Sequence, residues 1–120
     1  MNSFPPSRRR TILLYVLLIA LLPVFGACTM AQSGAIGRAY GSYNSHDYVR
    51  ALRRLSEAES YGEVTDQRRA EICFLKGRCV EGMGNRIEAA SLYEFLIKTY
   101  PDSEFAARAK GRLEELRQKP

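Results

Sequence analysis

The sequence predicts an all-α fold, a short α-solenoid of antiparallel helix pairs, on three observations. Apolar residues recur at helical spacing from Ala35 almost to the end of the 120-residue chain, with no competing strand-like alternation. Breaks at Gly62, Gly82 to Gly84 and Tyr100-Pro101-Asp102 divide that stretch into segments of helix length. Gly77 and Gly111 stand 34 residues apart inside a self-similar pattern, and a fixed period of that size marks stacked supersecondary units.

Five helices follow: Ala35 to Tyr43, Asp47 to Ser60, Asp66 to Glu81, Arg86 to Thr99 and Ser103 to Arg117. Ser45 or Asp47 can cap the second, Thr65 or Asp66 the third, and Asp102 or Ser103 the fifth. Each offers a side-chain oxygen to backbone N–H groups that have no partner inside the helix. In the last helix, Phe105, Ala109, Leu113 and Leu116 form the inward stripe, while Arg108, Lys110, Arg112 and Glu115 are expected to be solvated.

Ahead of these helices, Arg8-Arg9-Arg10 gives a positive start, Thr11 to Val24 an apolar run, and Gly26-Ala27 a small pair before Cys28. The phrase Phe25-Gly26-Ala27-Cys28 resembles the lipobox of bacterial lipoproteins, with Phe25 where Leu is usual. The resemblance implies that residues 1–27 are a signal peptide and that Cys28 carries a covalent lipid as the first mature residue. Residues 28–34 would then be the lipidated N-terminus and a small, polar tether. An ordinary secretory cut near Ala27 or Ala31 and an uncleaved anchor are the competing readings. The anchor fares poorly, since a span needs about 20 apolar residues and Pro23 interrupts this run. Loss of residues 1–27 removes three Arg and no acid, lowering the net charge from +5 to +2. The high whole-chain charge is therefore partly a targeting feature, and nucleic acid is not an expected partner.

Between the two glycines the chain runs Leu75-Lys76-Gly77, Gly84-Asn85, Ala89, Tyr93 and Pro101, and these spacings resemble a tetratricopeptide repeat. The resemblance implies that Gly77 lets the two helices of a unit approach, Gly84 makes their turn, Ala89 packs at the crossing and Pro101 ends the unit, with Tyr93 on its matching place. Lys76 and Val80 depart from the usual Leu and Tyr. A weaker copy precedes it, with Ala39 matching Gly77 and Ala51 matching Ala89. Its period is 38, and the excess is expected in the connection from Tyr61 to Asp66. The domain thus reads as a repeat over 35–65, a repeat over 66–102 and a capping helix over 103–118, with Gly111 as the last repeat-defining position. Arrays usually need about three repeats, and Gly34, Gly37 and Gly41 weaken the first helix by about 1 kcal/mol each relative to Ala. The first repeat is therefore a candidate for ordering by a partner or a second copy.

Chemistry is sparsely provided for. Ser45-His46-Asp47 is consecutive in sequence and reads as turn and cap, because a triad is assembled from residues that can point at one another. Cys73 and Cys79, if on one helix, are about 240° and 9 Å apart, beyond bridging reach. They read as small apolar packing residues. No metal-ligand spacing is present around His46, and Gly82-Met83-Gly84 lacks the context of a phosphate loop. No catalytic residue, metal or cofactor is expected beyond the lipid on Cys28.

Binding is what the repeat resemblance implies, on a surface lined by the first helix of each unit. It places Tyr40, Tyr43 and Asn44 there from the first repeat, Phe74, Arg78 and Glu81 from the second, and Arg108 and Arg112 from the cap. Tyr and Arg are frequent interface anchors, and Arg grips carboxylates in two-pronged fashion, so a peptide or acidic tail would suit this face. The stretch from Tyr93 to Ala106, with Tyr-Pro-Asp-Ser at its centre, is similar to the envelope subset of these repeats, which serve outer-membrane assembly, cell division and pilus assembly. The expectation is a lipid-anchored adaptor for a protein partner. Thr29 after Cys28 points to the outer membrane with the repeats in the periplasm. The alternative is a structural subunit or self-associating array with no peptide groove.

Overall fold

The computed structural model describes residues 6–21, 23–62 and 64–119, with side chains from 7–20, 30–62 and 64–119. Among them are six helices and no strand: α1 (Pro6–Leu21), α2 (Pro23–Asn44), α3 (Tyr48–Ser60), α4 (Asp66–Gly82), α5 (Arg86–Thr99) and α6 (Glu104–Gln118). The molecule is elongated, 84 × 29 × 16 Å. α1 touches only α2, and its apolar residues Ile12 to Ile19 stand exposed. None of the described helices is long and apolar enough to cross a membrane.

The last four helices end within a residue or two of their expected places, and the choice of cap is resolved in each case. Asp47 accepts from Arg50 N at 3.0 Å, Thr65 from Arg68 N at 3.3 Å and Ser103 from Ala106 N at 3.0 Å. Asn85 caps α5 and in turn donates its amide to Glu88 at 2.7 Å. Gly84, at φ +85, makes the α4–α5 turn. His46 takes the left-handed conformation at φ 61 between α2 and α3, a region that costs a non-glycine residue about 1–2 kcal/mol. We expect His46→Gly to raise stability by about 0.5–1 kcal/mol, read as a higher melting midpoint.

The expected tether is instead helix. Thr29 to Gly34 continue α2 back to Pro23. The reason is a partner waiting at the end of α3, where the Ala58 carbonyl lies in the last turn and receives only a long 3.4 Å bond from Tyr61 N. Buried Gln32 donates Nε2 to that carbonyl at 3.2 Å, and Ser33 Oγ accepts from Arg68 Nη2 at 3.0 Å. Gln32→Ala should cost about 1 kcal/mol and speed hydrogen exchange at the start of the packed part of α2.

Two cores run along the array and α4 belongs to both. Its Ile72, Leu75 and Cys79 meet Ala35, Ile36 and Ala39 of α2 with Ala51, Leu55 and Ala58 of α3. Its Ala70, Cys73, Phe74 and Val80 meet Ala89, Tyr93 and Leu96 of α5 with Phe105, Ala109 and Leu113 of α6. The first repeat is thus packed by its own chain, despite its glycines. Cys73 and Cys79 are free and buried, one in each core.

Two details of the repeat pattern are corrected. The four extra residues do not lengthen the connection, which is residues 61–65. Gly77 lies eleven residues after the first of α4, whereas Gly111 lies seven after the first of α6, so the excess is one more helical turn. Four residues nearly match the 3.6-residue period and leave the apolar face in phase. Gly111 is not a packing position either: it is exposed, and a Cβ there would meet nothing within 4 Å, because α6 has no following helix to approach among the described residues. Pro101 is exposed in the turn just past α5. By contrast, Gly77 is buried, and a Cβ on it would fall 2.5 Å from Tyr93 Cε1.

Candidate functional site

α4 lies between α2 and α6 and contacts both. The sequence places tyrosines toward the end of α2, an Arg and a Glu one turn apart near the end of α4, and arginines four residues apart on α6. Packing turns these into a continuous polar chain. Arg78 Nη2 donates to Tyr43 Oη at 2.7 Å with the guanidinium carbon 5.7 Å from the ring centroid. Arg78 Nε also lies 3.9 Å from Glu81 Oε2.

Glu81 is the hub of this chain. It accepts from Tyr93 Oη at 2.8 Å and from Arg112 Nε at 3.3 Å, and Arg112 Nη2 closes a second bond on Oε1. Arg112 Nη1 pairs further with Glu115. Burial alone would raise the Glu81 carboxyl, but the hydrogen bonds from Arg112 and Tyr93 overcome it and hold the group below its ordinary range. Burial, and then the bond to Glu81, pushes the Tyr93 hydroxyl well above its ordinary value.

A second line crosses the same three helices. Burial, followed by the charge and hydrogen bond of Glu71, raises the Tyr40 hydroxyl to about 12, with Arg108 opposing and Glu104 adding to the shift. Glu71 is itself held by Arg68 at 2.8 Å. Arg108 lies over the Phe105 ring at 5.2 Å and reaches Glu104 only at 3.9 Å.

The eight residues expected on a binding surface therefore divide. Phe74 is core, buried between Tyr93 and Phe105 with ring centroids 6.0 and 5.8 Å away. Arg78, Glu81 and Arg112 are occupied with one another, so the expectation that Arg112 is a solvated residue is also corrected. Tyr40 and Tyr43 are half-buried, while Asn44 and Arg108 are exposed. The role of Glu81 as a hub was not legible beforehand, since nothing in its own helix indicates that Tyr93 and Arg112 will converge on it.

The groups with reactive chemistry have structural tasks. Ser45 Oγ donates to Gly41 O at 3.0 Å, Asp47 caps α3, and the His46 ring stands edge-on to Tyr48 at 5.9 Å. Cys73 Sγ donates to Leu92 O at 3.6 Å. Burial pushes both thiols up, that of Cys79 to about 11, so little thiolate forms at neutral pH. Among the described residues no three His, Cys, Asp or Glu side chains converge as a metal site.

No protein-family model, curated protein or solved structure matches this chain. What the face can do follows from its own geometry. It presents two half-buried tyrosine rings, a terminal amide and one weakly paired guanidinium on a support whose other charges are neutralised within the fold. Such a surface can pair with a carboxylate and pack against apolar side chains.

Proposed function

We propose that this protein is a non-catalytic, lipid-anchored adaptor of the bacterial cell envelope, made of two tetratricopeptide units and a capping helix. It holds a protein or peptide partner on the α2–α4–α6 face. The observation that carries the reading is the Gly77–Tyr93 contact, where a helix pair closes at the residues the repeat pattern requires, with Ala89 fully buried beside it. The shared α4 and the polar residues on the outer side of α6 also fit a short, capped array. The domain limits of this proposal are 28–34 for the anchored segment, 35–65 and 66–102 for the units and 103–118 for the cap. The side chain of Cys28 lies outside the described residues, and its lipidation rests on the sequence around it. The same holds for residence in the outer membrane with the repeats in the periplasm.

Two measurements test this. Mass spectrometry of the mature N-terminal peptide should find a diacylated Cys28, and Cys28→Ala should release the protein from membranes; an unmodified residue 28 in the mature chain refutes the anchor. A crosslinked pull-down from the native envelope should capture a partner that Arg108→Glu loses. Arg108 is chosen because it is exposed and outside the Glu81 network, so its reversal leaves the fold intact. The neutralisation of Arg78 and Arg112 within the fold favours a second reading, a structural subunit. In that case the same partners copurify in fixed ratio whether or not Arg108 is reversed.

A further inference from the structure

α3 and α5 each pack on α4 without touching one another. Between them lies a cleft of about 250 Å³, smaller than the roughly 300 Å³ at which small-molecule pockets begin. Its apolar wall is Cys73, Leu92, Phe95 and Tyr100, and Phe95 is 54% exposed although the residues flanking it on either side of α5 are polar or buried. Its rim is cationic. Lys76 already holds Glu59, but Arg69 donates Nε to the Val64 carbonyl at 3.1 Å and meets no carboxylate among the described residues.

The complement to this cleft is on the same chain. Ile87, 84% exposed, is the most exposed large apolar residue of the array. It stands at the α4–α5 turn with exposed Met83 before it and the exposed carboxylate of Glu88 after it. Met83 lies ten residues past Cys73, about 15 Å along α4, and Ile87 lies eight residues before Phe95, about 12 Å along α5, so the exposed Ile87 side chain does not line the cleft of its own molecule.

We infer that this protein self-associates head to tail, the Ile87 knob of one copy entering the Cys73–Leu92–Phe95–Tyr100 cleft of the next with Glu88 against Arg69. The contact is heterologous, so each copy keeps one free cleft and one free knob and the assembly extends as a short row or closes as a ring. It leaves the α2–α4–α6 face uncovered and stands whatever that face binds.

The test uses the full-length chain in its own membranes. Glu88→Cys on the knob and Arg69→Cys on the rim of the cleft place two exposed thiols where the contact brings them together. A mild oxidant should then give a ladder of disulfide-linked multimers on a non-reducing gel. The ladder should vanish when either introduced cysteine is omitted and fall at least fivefold with Phe95→Asp, an exposed change whose retained helicity is checked by circular dichroism. Absence of a ladder, or a ladder indifferent to Phe95→Asp, overturns the inference. In a second arm, differently tagged Ile87→Asp and Phe95→Asp chains are coexpressed. Each retains one half of the contact, so they should copurify with one another while neither copurifies with itself. Failure of the mixed pair to form counts against the contact as decisively as self-pairing of either variant.

Discussion

Gly77→Ala should lower stability by about 1 kcal/mol although it adds a single methyl group and a better helix former. A Cβ there would stand 2.5, 3.0 and 3.1 Å from Tyr93 Cε1, Cδ1 and Cζ. The ring has no room to retreat, because Tyr93 is fully enclosed and its hydroxyl is tied to Glu81. Overpacking of this kind costs about 1–3 kcal/mol and occasionally more, against about 1 kcal/mol gained in helix propensity. Gly111→Ala is the control, since its Cβ would meet nothing within 4 Å. That change should stabilise by about 0.5–1 kcal/mol. Melting midpoints of the two variants should therefore move in opposite directions, by several degrees each for a domain of this size. Equal shifts would mean that the close approach of α4 and α5 is not what the glycine serves.

Glu81→Ala is expected to cost about 2–3 kcal/mol, somewhat under the 3–5 kcal/mol of a fully buried pair because the side chain keeps 15% exposure. The loss is large because three donors, Tyr93, Arg112 and Arg78, are left facing a void. The same hub gives the protein a pH signature. Glu81 is lowered in the folded state, so its contribution is present above the ordinary carboxyl value and drains away as pH falls through the lowered one. Tyr93 is raised, so its contribution is present below the ordinary tyrosine value and is lost as pH climbs through the raised one. Melting temperature against pH should flatten on its acid side in Glu81→Gln and on its alkaline side in Tyr93→Phe. A Glu81→Gln protein with an unchanged acid limb would show that the hub carries little of the fold's stability.

Local pattern was enough for most of the architecture and not for its polar wiring. Apolar spacing and caps are properties of a few consecutive residues, and they located α3 to α6 closely. Ala39, Ala51, Gly77 and Ala89 are small residues buried in the cores, and the buried Tyr93 ring occupies the space that Gly77 leaves open. Thr29 to Gly34 were misread as a tether because small and polar residues are poor local helix formers, whereas the bond from Gln32 to Ala58 spans 26 positions. Arg112 was misread for the same reason, its partner lying 31 positions away on another helix. Arg86, whose guanidinium donates to the Leu116 and Lys119 carbonyls and so closes the end of α6, carries no signal in its own neighbourhood either.

That one helix supplies a wall to both cores bears on how the protein comes apart. An array in which each hairpin had its own core could lose one end and keep the other, with two melting steps. Here removal of either neighbour strips one side of α4, so the remaining half is left with an exposed row of Ile72, Leu75 and Cys79 or of Cys73, Phe74 and Val80. Partial unfolding is thereby penalised from both directions, and the chain should open as one cooperative unit whose slowest-exchanging amides lie in the middle of α4. A ligand that stabilised the α2 end should accordingly slow hydrogen exchange in α6 as well.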